Sequence, residues 1–174
     1  MADSSIFLRL DMGMFAGMEH TLFFEDEFML ADNFGLPADP ASTSKFMAAY
    51  PFKITFTLMI LCTRGSIRVQ VNLQEVLLEA NYALILLPNT IGQCLEVSDD
   101  CQVAMIAYRD EKYIDDSHSD LHMLFYRYLS KNSLMPLSPD EMEETLAIYR
   151  AMWRKVEQPD YAFTRDALNG YMQV

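Results

Sequence analysis

The sequence predicts a mainly β fold, a barrel or sandwich of short strands, followed by about three α-helices. Three observations carry this. Apolar runs of strand length, several alternating strictly, recur between turn signals from His20 to Tyr108. Past Ser119 the apolar spacing changes from two to three and four, the helical period. Ser138-Pro139-Asp140-Glu141 is a capping box with proline at the first helical position.

Taken in order, residues 1–18 show no clear period and read as an extended lead-in that adds an edge strand. His20–Ala31 splits into two short runs around Glu25-Asp26-Glu27, the pattern of a hairpin. Asp32–Ser44 is a loop by its Gly, Pro, Asp and Ser content. The best-formed stretch is Tyr50–Asn72. Phe52, Ile54, Phe56, Leu58, Ile60 and Cys62 share one face by period two. Beyond Arg64-Gly65-Ser66, Ile67, Val69, Val71 and Leu73 alternate with Arg68, Gln70, Asn72 and Gln74. This predicts a β-hairpin closed at Gly65, its first strand buried on both faces and its second wet on one. Tyr82–Leu87 is a strand stopped by Pro88-Asn89-Thr90, and Gln93–Val97 and Gln102–Tyr108 are two more.

The helices follow. Leu121, Leu124, Phe125, Tyr128 and Leu129 lie on one face of the first. In the second, Met142, Leu146, Tyr149, Trp153 and Val156 form a stripe spaced 4, 3, 4, 3, which suits either docking on the barrel or a dimer seam. A third begins near Asp160 with Phe163, Ala167, Leu168 and Tyr171 inward, and the sequence stops before any helix-ending signal. The division drawn is a barrel over 1–112 and a helical appendage over 113–174.

Composition narrows the function. With 25 acidic against 13 basic residues the net charge is −12, and no cluster of Lys and Arg appears that would displace counterions from a duplex. These residues are therefore not expected to bind DNA themselves. No apolar run is long enough to span a bilayer and no secretory signal is recognisable, so no membrane partner is expected. Cys62, Cys94 and Cys101 are an odd number without close pairing, which fits reduced thiols and a cytoplasmic setting.

Chemistry-bearing motifs are few. The sequence has no phosphate-cradling glycine loop, no G-x-S-x-G elbow and no C-x-x-C. His118 and His122 have the helical spacing of a shared metal, but no third ligand accompanies them and a solvated helix start accounts for them as well. His20 stands alone in a strand pattern.

A barrel of short strands with a glycine turn at 65, a strand ending Leu86-Leu87-Pro88-Asn89 and a closing strand through Tyr108 resembles the cupin family, a double-stranded β-helix or jelly-roll barrel. With the trailing helices, residues 20–174 look like the N-terminal sensory and dimerisation domain of an AraC-type transcription regulator. Enzymatic cupins carry a His-x-His pair and a Glu on the strand leading to the glycine turn and a further His after the proline of the second hairpin. By that resemblance the ligand positions fall near Phe52, Ile54, Leu58 and Gln93, none of which suits a metal. The resemblance therefore implies a non-catalytic domain with no metal and no cofactor. It implies a homodimer that takes a small effector such as a sugar or small metabolite, with DNA read by a C-terminal helix-turn-helix domain outside this chain. The effector would meet the inward face of the barrel at Phe56, Leu58, Gln93 and Tyr108, and the dimer seam would be the stripe from Met142 to Val156. The alternative is a metal-dependent cupin enzyme, an isomerase or a dioxygenase.

Overall fold

The structure, a computed structural model, describes residues 7–36, 50–109, 119–158 and 163–172. These form eleven strands: β1 (Leu8–Leu10), β2 (Thr21–Phe24), β3 (Phe28–Asp32), β4 (Phe52–Ile54), β5 (Thr57–Arg64), β6 (Ser66–Val71), β7 (Gln74–Glu79), β8 (Tyr82–Leu86), β9 (Ile91–Val97), β10 (Gln102–Tyr108) and β11 (Leu134–Pro136). Three helices accompany them: α1 (Ser119–Leu129), α2 (Pro139–Val156) and α3 (Thr164–Met172). The strands make two sheets, ordered β1-β4-β9-β6-β7 and β11-β8-β5-β10-β3-β2. The fold is a jelly-roll sandwich with helices after it, as the sequence predicts.

The stretch around Gly65 departs from expectation. β5 and β6 do not pair with each other. β5 lies between β8 and β10 in the six-stranded sheet, and β6 lies between β7 and β9 in the five-stranded one. Gly65 is thus the corner where the chain passes from one sheet to the other. Its φ is +70°, and a Cβ there would sit 2.4 Å from Ser98 Oγ and 2.7 Å from Cys101 Cα. Only glycine fits so close a crossing. The composition of the two strands decides the outcome: β5 is apolar on both faces and takes a doubly covered place, whereas β6 has one wet face and takes a singly covered one.

The tight hairpin instead joins β6 to β7. Val71 pairs with Gln74 across a two-residue turn, Asn72-Leu73, in which both residues have positive φ, 45° and 71°. That is the geometry of a primed turn, whose twist matches the flanking strands. Leu73, expected to continue the inward alternation, is 89% exposed at the tip.

Two apolar layers result. Between the sheets lie Ile54, Phe56, Leu58, Cys62, Val69, Leu84 and Met105. Met12 and Phe15, on a 3-10 turn capped by Asp11, reach into the same layer, with the Phe15 ring edge-on to Phe56 at 6.3 Å. The second layer lies on the outer face of the six-stranded sheet, where Phe28, Leu30, Leu61, Ala104 and Ile106 meet α2 and Leu168 of α3. Helix α2 starts at the expected capping box: Ser138 Oγ accepts from Glu141 N at 3.2 Å and Glu141 Oε2 accepts from Ser138 N at 2.7 Å. β11, between α1 and α2, extends the sheet beside β8, so the helical segment shares both a sheet and a core with the barrel.

Two helical faces differ from the pattern. Leu124, Phe125 and Tyr128 are each more than half exposed, and α1 rests on the barrel through Leu129 and Tyr126 against Ile85 and Leu87. The helix is short and touches the sandwich near its C-terminal end, so its stripe is left largely in solvent. Phe163, expected inward, is 63% exposed and Thr164 is buried in its place, whereas Leu168 and Tyr171 pack inward as expected.

Candidate functional site

The residues predicted to line an effector site do not converge. Phe56 and Leu58 are buried between the sheets, in contact with the chain's own side chains. Gln93 pairs with Gln70, next to the inward pair Val71 and Gly92, and therefore stands on the outer face of the five-stranded sheet. Tyr108 belongs to the opposite layer, beneath the helices, with its ring 6.3 Å from Phe28. The parity of β10 explains this: Val103, Met105 and Ala107 face the other sheet, so Ala104, Ile106 and Tyr108 face α2. The barrel interior at these positions is filled.

The proposed dimer stripe has a partner within the chain. Met142, Leu146, Tyr149 and Val156 are buried on the six-stranded sheet, joined by Met152, and Trp153 packs at the edge of the same layer. These side chains serve the docking of α2 rather than a free surface. A polar cluster fixes the register. The Tyr149 hydroxyl donates to Asp32 Oδ2 at 2.7 Å, while His20 Nδ1 lies 3.3 Å from Asp32 Oδ1. Burial, reinforced by the Asp32 carboxylate, pushes the Tyr149 hydroxyl well above the usual phenol range. His20 is held between Asp32 and the Trp153 ring, 6.5 Å away.

Of the residues near which the resemblance would place a metal ligand, Ile54 and Leu58 are core residues, and Phe52 packs against that core opposite Gly92. Among the described residues no three His, Cys, Asp or Glu side chains come together as a ligand set. His118 and the side chain of His122 lie outside the described residues. The three cysteines are free thiols; Cys62 is buried and donates to the Arg64 carbonyl at 3.3 Å.

The structure does open a cleft elsewhere, of about 370 Å³, where α1 crosses the end of the sandwich. Ile85, Leu87 and Met123 give it apolar walls; Thr90, Arg127 and Ser133 bring polar groups. Each wall has a local origin. Pro88 ends β8, and Asn89 with φ +71° reverses the chain so that its N–H meets Ile54 O at 2.8 Å. The turn at Asn72 is tied to the next strand, since Ile91 N donates to Asn72 Oδ1 at 3.0 Å. On the far side α1 ends at Leu129, and Ser133 O accepts from Ile85 N at 2.8 Å, drawing the helix end against β8. None of these residues was singled out from sequence as part of a site. Pro88-Asn89-Thr90 reads as a strand stop, with Leu86-Leu87-Pro88-Asn89 part of the cupin-like pattern, and Arg127 carries no signal at all.

A smaller, charged recess lies around Asp11 and Arg109. Arg109 Nη2 is 3.2 Å from Asp11 Oδ1, and Arg109 Nε donates to Asp26 O at 2.8 Å. The Gly13 N–H, and then Arg109, hold the Asp11 carboxyl below its ordinary value. Its charges are satisfied internally, and it is structural.

No known protein family matches this sequence, and neither does any curated protein. Solved structures are similar at low identity. EutQ of Clostridium difficile is 8% identical over 48% of this chain, with a TM-score of 0.32. A cupin protein of Bacteroides fragilis is 15% identical over 49% of this chain and 69% of its own, with a TM-score of 0.37. Apo ToxT of Vibrio cholerae is 12% identical over 68% of this chain and 45% of its own, with a TM-score of 0.40. The chain spans little more than half of EutQ, 55% of its length. At these scores the likenesses carry no argument about function. The class is set by the strand order itself: a cupin-like jelly roll with three C-terminal helices. No described helix is long and apolar enough to cross a membrane.

Proposed function

We propose that this chain is the effector-binding and dimerisation part of a cytoplasmic AraC-type transcription regulator, with DNA read by helix-turn-helix units beyond Val174. One observation carries the reading: the cleft lies at the seam between the barrel and α1, the first helix after it. A ligand seated there touches both, so its binding energy differs between arrangements of the helices. A ligand shifts a conformational equilibrium only through such differential contact. Enzymatic chemistry has less support, because the positions that hold metal in catalytic cupins are Phe52, Ile54, Leu58 and Gln93 here.

The test is a thermal-shift screen of small metabolites, with the mass of the particle in solution measured alongside. A ligand at a hundred times its Kd should stabilise the domain by about 2.7 kcal/mol. The expected result is a hit whose binding perturbs residues around Leu87 and Arg127, on a homodimer. A stoichiometric transition metal in the purified protein would overturn the reading in favour of an isomerase or dioxygenase.

A further inference from the structure

Two polar groups in the cleft lack partners among the described residues. Arg127 is exposed at its edge and, among the described residues, makes no ion pair or hydrogen bond through its side chain. Arg64, Arg68, Arg109, Arg150 and Arg165 each lie against a carboxylate, while Arg9 and Arg154, like Arg127, have no such pair among the described residues. Unlike those two, Arg127 lines the cleft. Thr90 is only 8% exposed, and its hydroxyl hydrogen-bonds nothing among the described residues, although its backbone is engaged by Leu87 and Ile54. Among the described side chains only Asn169 Oδ1 is fully buried without a partner, so the Thr90 hydroxyl, unpartnered, keeps an accessible face in a residue that lines the cleft.

We propose that the cleft binds a small carboxylate with an apolar body. Its head meets the Arg127 guanidinium and the Thr90 hydroxyl, and its body lies against Ile85, Leu87 and Met123. The ligand class follows from three features. The planar fork of arginine matches a carboxylate with two parallel hydrogen bonds. A single cationic group on a chain of net charge −12 favours a monoanion, because a more highly charged ligand meets the field of the whole protein. The remaining walls are apolar and suit a hydrocarbon or aromatic body better than a sugar. This inference rests on the cleft being the effector site.

The experiment uses hexanoate and benzoate as probes, with hexanamide and benzamide as uncharged matches. Binding is read by thermal shift and by NMR shifts of the Ile85, Leu87 and Met123 methyl groups. The acids should bind and the amides should not, and raising the salt concentration should weaken the acids. Arg127→Gln should weaken them about tenfold or more, the usual weight of a charged hydrogen-bonded pair, and Thr90→Val should weaken them less. Equal binding of acids and amides, or unchanged binding to Arg127→Gln, overturns the carboxylate assignment but leaves the cleft as a site for neutral effectors. If neither the acids, the amides nor a panel of neutral sugars moves those methyl signals, the effector reading falls with it.

Discussion

At one end of the sandwich the chain crosses between sheets at Gly65 and again near Cys101; at the other it turns at Asn72 and at Asn89 beneath α1. The first end is closed by its own groups. Ser98 Oγ accepts from Ser66 N at 2.8 Å and donates to Asp100 Oδ1 at 2.9 Å, and the Gly65 Cα leaves no room for a further atom. The second end has comparable turns, yet among the described residues Arg127 and the Thr90 hydroxyl are left without partners around a cleft. Both ends satisfy the backbone. They differ in whether side-chain polarity is used up within the chain, and that difference separates a structural corner from a binding site.

Substitutions at the two ends should therefore behave oppositely. Gly65→Ala places a Cβ at a positive φ and within 2.7 Å of the Cys101 backbone, which should cost about 3 kcal/mol in denaturant unfolding. A loss below about 1 kcal/mol would mean that this corner is looser than its geometry. Ser98→Ala strips the Ser66 N–H of its acceptor at 2.8 Å and should cost about 1–2 kcal/mol. At the open end, Leu73→Gly should stabilise the protein by roughly 0.5–1 kcal/mol. An exposed leucine with φ 71° loses little burial there, and glycine removes the steric cost of the left-handed conformation. Smallest of all, Thr90→Val and Arg127→Gln should each change stability by less than about 0.5 kcal/mol, since neither side chain has a bond to lose among the described residues. Calorimetric melting of the two variants checks this, and a large loss in either would show that the open end is structural after all.

The candidate site was far less legible than the fold. Strands announced themselves by alternation, and α2 by its Ser138–Glu141 box, because these are local properties of backbone and side chain. The cleft draws on residues from separate stretches, around Val71, Leu87, Met123 and Ser133, that only folding brings together. Arg127 and Thr90 carry no spacing signal, since a lone cation and a lone hydroxyl recur everywhere on protein surfaces. The positions chosen by resemblance, Phe56, Leu58, Gln93 and Tyr108, were assigned to one interior. The register of β9 and β10 distributes them among three different faces.

What the sequence alone determined is most of the order of elements: strands up to Tyr108, helices from Ser119, glycine at 65, a cap at Ser138, but neither β11 between the helices nor the break between β4 and β5. Each depends on the conformational preferences of a few neighbouring residues. The tertiary structure decided the partners. It set β5 and β6 in different sheets, laid the Met142–Val156 stripe on the barrel, and left the α1 stripe mostly in solvent. Alternation specifies that a face must be covered but not by what, and the choice follows from how all the apolar faces are buried at once.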